Sequence, residues 1–337
     1  MGSKPRGISA SRGAAVLGFS EFQTPFEIWQ LICEERQPGF NAARGYVLPP
    51  DPDSAAIRWG SAFEGAIIEL AAEARGKGII CRERFNETSD GIITCHLDGI
   101  YEGTDIVIHE GKTASAIAYR NKWGEPGSDK IPRPYQVQVQ HQMYLAGSEE
   151  AVVSVLVFPE MPDKWEKDGW RTASFDGGAY ELENETRGGT VNPSRWARVL
   201  SEMGYFHQYR VKAKRDAQAA MFAAYREFWT KHVLAGVPPE PRDYADIKRL
   251  CPEPKSTIVV PRFIERKIEE YKGITEESAR AKARKEHLKT VITKYAAASG
   301  DGVIDDESKE AVIFRSESGD KLGSWYKTKS GSLVFRC

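Results

Sequence analysis

One apolar run constrains the fold more than any other part of the chain. Residues 151–158, AVVSVLVF, contain one serine and otherwise only apolar side chains, most of them β-branched. This pattern is typical of a strand buried on both faces, since a strand with one solvated face alternates apolar and polar residues. Both faces of the predicted sheet must therefore be covered by other elements.

Helical and strand-like segments alternate around this run. Residues 54–76 and 134–147 place apolar side chains at helical spacing, and each segment ends at a glycine. Three strand-like runs lie between them, at 78–85, 91–101 and 105–112, and Gly103-Thr104 predicts a hairpin turn between the last two. This order predicts an α/β fold with a mixed central β-sheet flanked by helices.

The second half of the chain divides into three parts. Residues 159–204 are rich in Gly, Trp and Asp, and we interpret them as an insertion with little regular structure beyond a helix near 193–203. One more strand and a long helix follow. The composition then changes near 237–260, and a charged helical pattern precedes a predicted β-hairpin. We therefore predict a first domain at 1–240 and an accessory C-terminal region at 241–337.

Composition narrows the classes of function. The net charge is −1, so a surface for nucleic acid would have to be a local basic patch. No run of 18 apolar residues occurs and the first residues lack the apolar stretch of a signal peptide, so we expect a cytoplasmic protein without a membrane span. The five cysteines include no CxxC pair, which disfavours a zinc site and a disulfide framework.

Charged side chains collect where two of the predicted strands end. Asp98 lies in the second strand-like run, and Glu110 and Lys112 end the third, across the predicted hairpin. Adjacent antiparallel strands bring such positions within about 5 Å. Two carboxylates at that separation repel each other unless a cation lies between them, and oxygen ligands select a hard ion such as Mg²⁺ or Mn²⁺. The alternative is that Glu110 and Lys112 form an ordinary surface ion pair.

Polar residues on the flanking helices extend this candidate site. Glu64 lies among apolar residues on the helix before the strands, where an unpaired charge would be unfavourable. Tyr135, Gln138 and Gln140 follow on the helix after them, and the spacing of three between Tyr135 and Gln138 places these two on one face. Their side chains could hold a water molecule or a phosphate, although glutamines also occur on ordinary solvated helix faces.

These motifs together resemble the YqaJ-type viral recombinase family, which is grouped with phage lambda exonuclease in the PD-(D/E)XK nuclease superfamily. The resemblance extends from about residue 6 to 158 and resumes near 204–240. The matching segments are Ile8 to Ser11, Trp59 to Glu64, Asp98-Gly99, Glu110 to Lys112 and Tyr135 to Met143. The insertion at 159–204 is unusual for this family. The resemblance implies a restriction-endonuclease-like PD-(D/E)XK core with a C-terminal helical and hairpin appendage.

The resemblance also implies roles at the active site. Asp98, Glu110 and the backbone carbonyl of Gly111 would bind Mg²⁺, for which Mn²⁺ would substitute, and Glu64 would help to bind a second ion. Lys112 would position and activate the attacking water. Gln138 and Tyr135 would support the water and the scissile phosphate.

Further residues would contact the DNA end. Arg6, Ser9, Ser11 and Gln140 would bind DNA or its 5′ phosphate, with Lys4 as the alternative to Arg6. Ile57 falls where a relative carries an apolar wedge that splits the duplex end, although the position also suits the core of a helix. A locally basic channel would draw on Arg82, Arg84, Lys112, Arg120, Lys122, Lys130 and Arg133.

By this resemblance the protein is expected to be a magnesium-dependent 5′-to-3′ exonuclease that acts on linear double-stranded DNA. The 3′ overhangs would serve phage or prophage recombination in a bacterial cell, with a single-strand annealing protein of the Beta or RecT type as partner and a ring-shaped trimer as the assembly. One alternative is a CRISPR-associated or RecB-like nuclease. Cys33 and Cys251 cannot supply the iron–sulfur cluster that some of those enzymes carry. The other alternative is a catalytically silent DNA-binding or assembly module, which the intact set of Asp98, Glu110 and Lys112 disfavours.

Overall fold

The computed structural model describes residues 7–50, 54–80, 84–174, 180–250, 261–299, 311–315, 321–327 and 333–336. The chain forms two units, Met1–Pro254 and Lys255–Cys337. The first unit therefore includes a short helix at 244–250 that a boundary after residue 240 would exclude.

The first part of the chain supplies most of the predicted core. Its elements, in chain order, are β1 (Ile8–Ser9), α1 (Ala10–Val16), α2 (Pro25–Arg36), α3 (Ala55–Arg75), β2 (Ile79–Ile80), β3 (Arg84–Glu87), β4 (Ile93–Leu97), β5 (Gly99–Tyr101), β6 (Val107–Ser115), α4 (Ala116–Lys122), α5 (Arg133–Ala146) and β7 (Glu150–Phe158).

The rest of the first unit completes the sheet and adds a separate layer. Its elements are α6 (Pro162–Lys167), β8 (Trp170–Ser174), β9 (Tyr180–Asn184), β10 (Thr190–Val191), α7 (Pro193–Glu202), β11 (Phe206–Lys212), α8 (Arg215–Phe228) and α9 (Tyr244–Leu250). A π-helical turn at Trp229–Leu234 extends α8.

The buried apolar run forms the centre of a five-stranded sheet. The strand order is β11-β7-β6-β5-β2, with β7 parallel to β6 and antiparallel to β11. Every residue of β7 is buried. Val153 and Val155 pack towards Val139 on α5, whereas Leu156 packs towards α3. The predicted mixed sheet flanked by helices is confirmed, and its burial follows from the absence of an alternating polar face in β7.

The strand-like run at 91–101 is not one strand. Its first half, β4, pairs with β1 and β3 in a separate three-stranded sheet, whereas its second half, β5, pairs with β6 and β2 in the central sheet. Asp98 lies at the break between them. A Cβ atom at Gly99 would lie 2.3 Å from Cγ2 of Ile79, so this position requires the close approach that only glycine allows. The break therefore places Asp98 where the chain passes from one sheet to the other.

The expectation of little regular structure in residues 159–204 is wrong. Among its described residues, β8, β9 and β10 form an antiparallel sheet of order β10-β9-β8, preceded by α6 and followed by α7. We call residues 159–204 the insertion. The predicted helix near 193–203 is confirmed by α7.

The second unit contains the predicted charged helix, α10 (Arg262–Ser299). It is followed by β12 (Ala311–Arg315), β13 (Lys321–Lys327) and β14 (Leu333–Arg336), which pair antiparallel in chain order. The predicted hairpin is thus part of a three-stranded sheet. In the described part of the chain, no helix combines the length and the apolar character that crossing a membrane requires.

Candidate active site

A cleft of about 420 Å³ lies between α3, β6 and α5. It gathers eight residues that the sequence predicts for the site: Ile57, Glu64, Asp98, Glu110, Gly111, Lys112, Tyr135 and Gln138. Gly60, Ser61, Ile67 and Thr113 complete the lining. The cleft is thus formed by α3, β6 and α5, which are the elements predicted to carry the site.

Glu110 forms the buried floor of this cleft. Its side chain lies on the inner part of β6 and is 2% exposed. Oε1 accepts hydrogen bonds from Gln138 Nε2, at 2.5 Å, and from Lys112 Nζ, while Oε2 accepts one from Gln142 Nε2 at 2.6 Å. A carboxylate that is removed from water requires such compensation. Glu110 is therefore held in one orientation by three donors.

Gln142 donates to Glu110 in the cleft although the sequence analysis did not predict it for the site. Gln140, which was predicted to bind DNA, has a different position. The Gln142 side chain is buried and also donates to the carbonyl of His96 at 3.1 Å. Gln140 points elsewhere: its Nε2 donates to the Lys212 carbonyl at 2.7 Å and its Oε1 accepts from the Lys214 backbone at 2.9 Å. The helical period explains the difference, because Tyr135, Gln138 and Gln142 are three and four residues apart, whereas Gln140 is two from Gln138. Gln140 therefore anchors α5 to the end of β11 and lies outside the cleft.

Asp98 lies beside Glu110 in the cleft, because the pairing of Gly99 with His109 makes positions 98 and 110 neighbours on adjacent strands. Its Oδ2 accepts a hydrogen bond from the backbone N–H of Gly111 at 2.8 Å. Burial and the neighbouring Glu110 carboxylate raise the pKa of Asp98, and Glu64 contributes in the same direction to a smaller extent. A Cβ atom at Gly111 would lie 3.2 Å from Ile67 Cγ2, so glycine leaves this side of the cleft open.

Lys112 supplies positive charge on the cleft wall. Its Nζ pairs with Glu110 and lies 5.1 Å from the centre of the Tyr135 ring. Burial alone would lower the pKa of Lys112, but the carboxylates of Glu110 and Asp98 outweigh that effect and raise it. The predicted alternative of an ordinary surface pair is wrong, because the Lys112 side chain is only 18% exposed and Glu110 is buried.

Helix α3 forms the opposite wall. Ser54 caps it by accepting the Ile57 backbone N–H at 3.3 Å, so Ile57 lies in the first turn. The Ile57 side chain is 47% exposed, which excludes the alternative that it belongs to the helix core. Glu64 is exposed in the cleft, so the expected apolar environment of its charge is wrong although its position in the site is as predicted.

The donor set fits a hard divalent cation. The carboxylates of Asp98 and Glu110 lie close together beside Gly111, which has no side chain. Carboxylate oxygens of this kind are the ligands that Mg²⁺ and Mn²⁺ prefer. Within the described ranges, no group of three or more His, Cys, Asp and Glu side chains is arranged to hold a metal. Backbone and water oxygens would therefore complete the coordination of an ion at this pair.

Two residues predicted to bind the 5′ phosphate, Ser9 and Ser11, lie outside the cleft lining. Ser9 is buried in β1, and its Oγ lies 3.0 Å from that of the exposed Ser11. Arg6, like Lys4, falls outside the described residues, as does Arg82 of the proposed basic channel. Among the other channel candidates, Lys122 pairs with Glu21 and Arg133 stacks 3.5 Å from the centre of the Phe19 ring.

Residues 2–149 match the YqaJ-like viral recombinase domain family, so the resemblance inferred from the motifs is confirmed over this segment. The matched segment contains Ile57 and every carboxylate, amide and lysine side chain of the cleft. The resemblance expected at 150–158 and 204–240 lies beyond it.

Similar proteins include the uncharacterized protein YqaJ of Bacillus subtilis strain 168, which is 26% identical over 155 residues. That match covers 45% of this chain and 44% of the relative, so the chain spans less than half the length of that relative.

Similar solved structures include the alkaline exonuclease LHK-Exo of Laribacter hongkongensis, at 14% identity, with 69% of this chain and 90% of that chain covered and a TM-score of 0.43. A phage-related exonuclease of Haemophilus somnus 129PT is 12% identical, with 68% and 96% covered and a TM-score of 0.42.

Proposed function

We propose that the protein is a magnesium-dependent 5′-to-3′ exonuclease acting on linear double-stranded DNA. The observation that carries this proposal is the cleft itself, in which Asp98 and Glu110 lie close together beside Lys112. An acidic pair of one buried and one half-buried carboxylate with an adjacent ammonium suits hydrolysis of a phosphodiester, since the carboxylates bind cations and the ammonium compensates negative charge that develops on the phosphate.

Each side chain has a distinct task in this proposal. Asp98, Glu110 and the Gly111 carbonyl would hold Mg²⁺, or Mn²⁺ in its place, and Glu64 would assist with a second ion. Bound ions of this type polarise the phosphate and lower the pKa of a coordinated water. Lys112 orients the attacking water and offsets charge on the phosphoryl oxygens. Gln138 and Gln142 hold Glu110 in its orientation, and Tyr135 flanks the Lys112 ammonium.

The wall opposite the carboxylates suits a DNA end. Ile57 presents an exposed apolar side chain in the first turn of α3, where it can stack against or separate the terminal base pair. Arg6, Ser9 and Ser11 remain the proposed partners of the 5′ phosphate. Binding through phosphate contacts would weaken steeply as the salt concentration rises.

The family match supports a wider role for the protein. We propose that the 3′ overhangs serve single-strand-annealing recombination of a phage or prophage in the bacterial cytoplasm, with an annealing protein of the Beta or RecT type as partner. A ring-shaped trimer would keep the enzyme on its substrate. Catalysis is assigned to residues 1–240, and the region from 241 to 337 is proposed to be accessory.

Digestion of linear duplexes labelled at either the 5′ or the 3′ end tests the proposal. We expect loss of the 5′ label first, dependence on Mg²⁺, partial replacement by Mn²⁺, and slower digestion when the 5′ phosphate is removed. Glu110→Gln keeps the size of the side chain but removes its charge, so it should abolish digestion. Gln140→Leu is a matched variant on α5 outside the cleft and should retain it. Digestion that continues in chelator, or in Glu110→Gln, would contradict the assigned site.

A further inference from the structure

The insertion packs directly against the helix that carries one wall of the cleft. Trp59 of α3 lies 4.8 Å, centre to centre, from Trp165 of α6 and 5.8 Å from Trp196 of α7. Phe63, one turn further along α3, contacts Trp196 in the same cluster. Trp59 and Phe63 are fully buried. The insertion thus provides the hydrophobic surface on which α3 rests.

A single carboxylate ties the first turn of α3 to this surface. Glu166 of α6 accepts hydrogen bonds from Arg58 Nε at 3.2 Å and from Arg58 Nη2 at 2.8 Å to each of its oxygens. It also accepts one from Trp59 Nε1 at 3.3 Å. The Glu166 side chain is 21% exposed. Bidentate contacts between guanidinium and carboxylate fix the relative orientation of both groups.

The two faces of this turn have different surroundings. Arg58 and Trp59 face the insertion, whereas Ile57 lines the cleft, as do Gly60 and Ser61 in the next turn. Because Ile57 immediately precedes Arg58, any rotation or fraying of the first turn would displace the Ile57 side chain. Helix ends fray unless they are fixed by caps or tertiary contacts.

We propose that Glu166 is a positioning residue, and that it holds the first turn of α3 so that Ile57 meets the terminal base pair of the DNA duplex. The inference rests on the proposed exonuclease function and assigns a role in it to the insertion. Glu166 acts through Ile57 and does not contact the scissile phosphate. Its contribution therefore belongs to opening of the duplex end and not to hydrolysis.

The test compares two substrates with the full-length protein. One is a blunt linear duplex, and the other is the same duplex with its terminal base pairs mismatched. Glu166→Gln keeps the side-chain volume but removes the charge and one of the two strong acceptors. A displacement of about 1 Å can cost about 100-fold in rate, and Glu166→Gln keeps part of the contact, so we expect digestion of the blunt duplex to slow by about tenfold. Digestion of the mismatched end should change by less than about twofold.

Two further variants give the test its control and its specificity. Glu185→Gln is the matched control, because Glu185 pairs only at the surface of the insertion, with Arg171 at 3.2 Å and 60% exposure. It should leave both rates unchanged. In an Ile57→Ala background, Glu166→Gln should have no additional effect on the blunt duplex, since residues that act through one another are non-additive.

Several results would overturn the proposal. These are an unchanged blunt-end rate in Glu166→Gln, an equal fall on both substrates, or additive effects of Glu166→Gln and Ile57→Ala. Thermal unfolding checks that the variants fold. If Glu166→Gln does not fold, Arg58→Gln, which removes the other member of the pair, is used in its place. A wild-type protein that digests neither substrate would refute the exonuclease function itself, whereas the other failures would refute only the role of Glu166.

Discussion

Replacing Lys112 by methionine tests whether this ammonium balances the carboxylates of the cleft. Lys112 pairs with Glu110, which is itself 2% exposed and lies beside Asp98. Removing one partner of a buried pair leaves the other charge uncompensated, at a cost of about 3–5 kcal/mol. Because Gln138 and Gln142 still donate to Glu110 and Lys112 is 18% exposed, we expect the low end, about 3 kcal/mol. In a unit of this size that corresponds to a fall in Tm of roughly 6–8 °C.

Thermal unfolding in the presence of a chelator, at neutral or slightly alkaline pH, measures this effect. Added Mg²⁺ should restore much of the lost stability, because an ion bound only by the native state stabilises it by about 2.7 kcal/mol at roughly 100 times its Kd. The proposed nuclease activity should be absent in Lys112→Met even with Mg²⁺, since the metal would not replace the ammonium at the phosphate. The double variant Glu110→Gln/Lys112→Met removes both charges and should unfold close to the wild-type temperature.

Lys231→Met provides the control, because its pair with Glu227 is exposed on both sides and should contribute nothing measurable. A Lys112→Met protein that keeps the wild-type Tm in chelator would show that the ammonium is not the counter-charge of the carboxylates of the cleft. The same reasoning would fail if the double variant were as unstable as Lys112→Met alone.

Two other predictions concern the groups around Glu110. The pKa of Asp98 is raised to about 8, so the stabilisation of the metal-free native state by its protonated form is fully present below the ordinary carboxyl pKa and is lost as the pH rises through the raised value. In chelator, Tm should therefore fall more between about pH 5 and about pH 9 in the wild type than in Asp98→Asn. An equal fall in both proteins would contradict this. Gln142→Leu should lower the affinity for Mg²⁺ by about 10–100-fold, so that activity requires a higher Mg²⁺ concentration. Gln140→Leu should lower Tm by leaving backbone groups unpaired and should not change the Mg²⁺ concentration required. Titration of activity with Mg²⁺, together with thermal unfolding, distinguishes the two variants.

The elements that build the cleft were predictable because their periodicity is local. The unbroken apolar composition of β7 indicated burial on both faces, and the helical spacing in α3 and α5 indicated the helices on either side. Placing Asp98, Glu110 and Lys112 together required only the hairpin between β5 and β6. The structure brings these side chains into one cleft, whereas their catalytic roles stay predictions.

One structural feature that the sequence did not predict depends on contacts between residues far apart along the chain. The break at Asp98 arises because β4 and β5 pair with strands of different sheets. No local pattern in residues 91–101 predicts this difference in pairing. The position of Gln142 in the site has a different origin. It follows from the helical period, because Gln142 is four residues from Gln138 whereas Gln140 is two, and this spacing is present in the sequence itself.

The insertion was the largest discrepancy. Its short strands are separated by turns, and they are held by packing of Trp165, Trp170 and Trp196 onto α3. Strands of two to five residues carry weak periodicity, so their pairing depends on a surface that the sequence does not identify. The same aromatic residues that suggested an irregular segment are those that order it.

The way in which the insertion joins the central sheet has an evolutionary consequence. It leaves from the end of β7 and returns at the start of β11, and these strands are antiparallel neighbours with Leu156 opposite Phe206. The two attachment points are therefore adjacent, so an ancestral chain could have joined them with an ordinary hairpin turn. Acquisition of the extra layer would leave the register of the central sheet and the position of Glu110 unchanged. The attachment points are modular, whereas the packing is not: a related chain that gained the layer would also need apolar side chains on α3, such as Trp59 and Phe63, to cover its tryptophans.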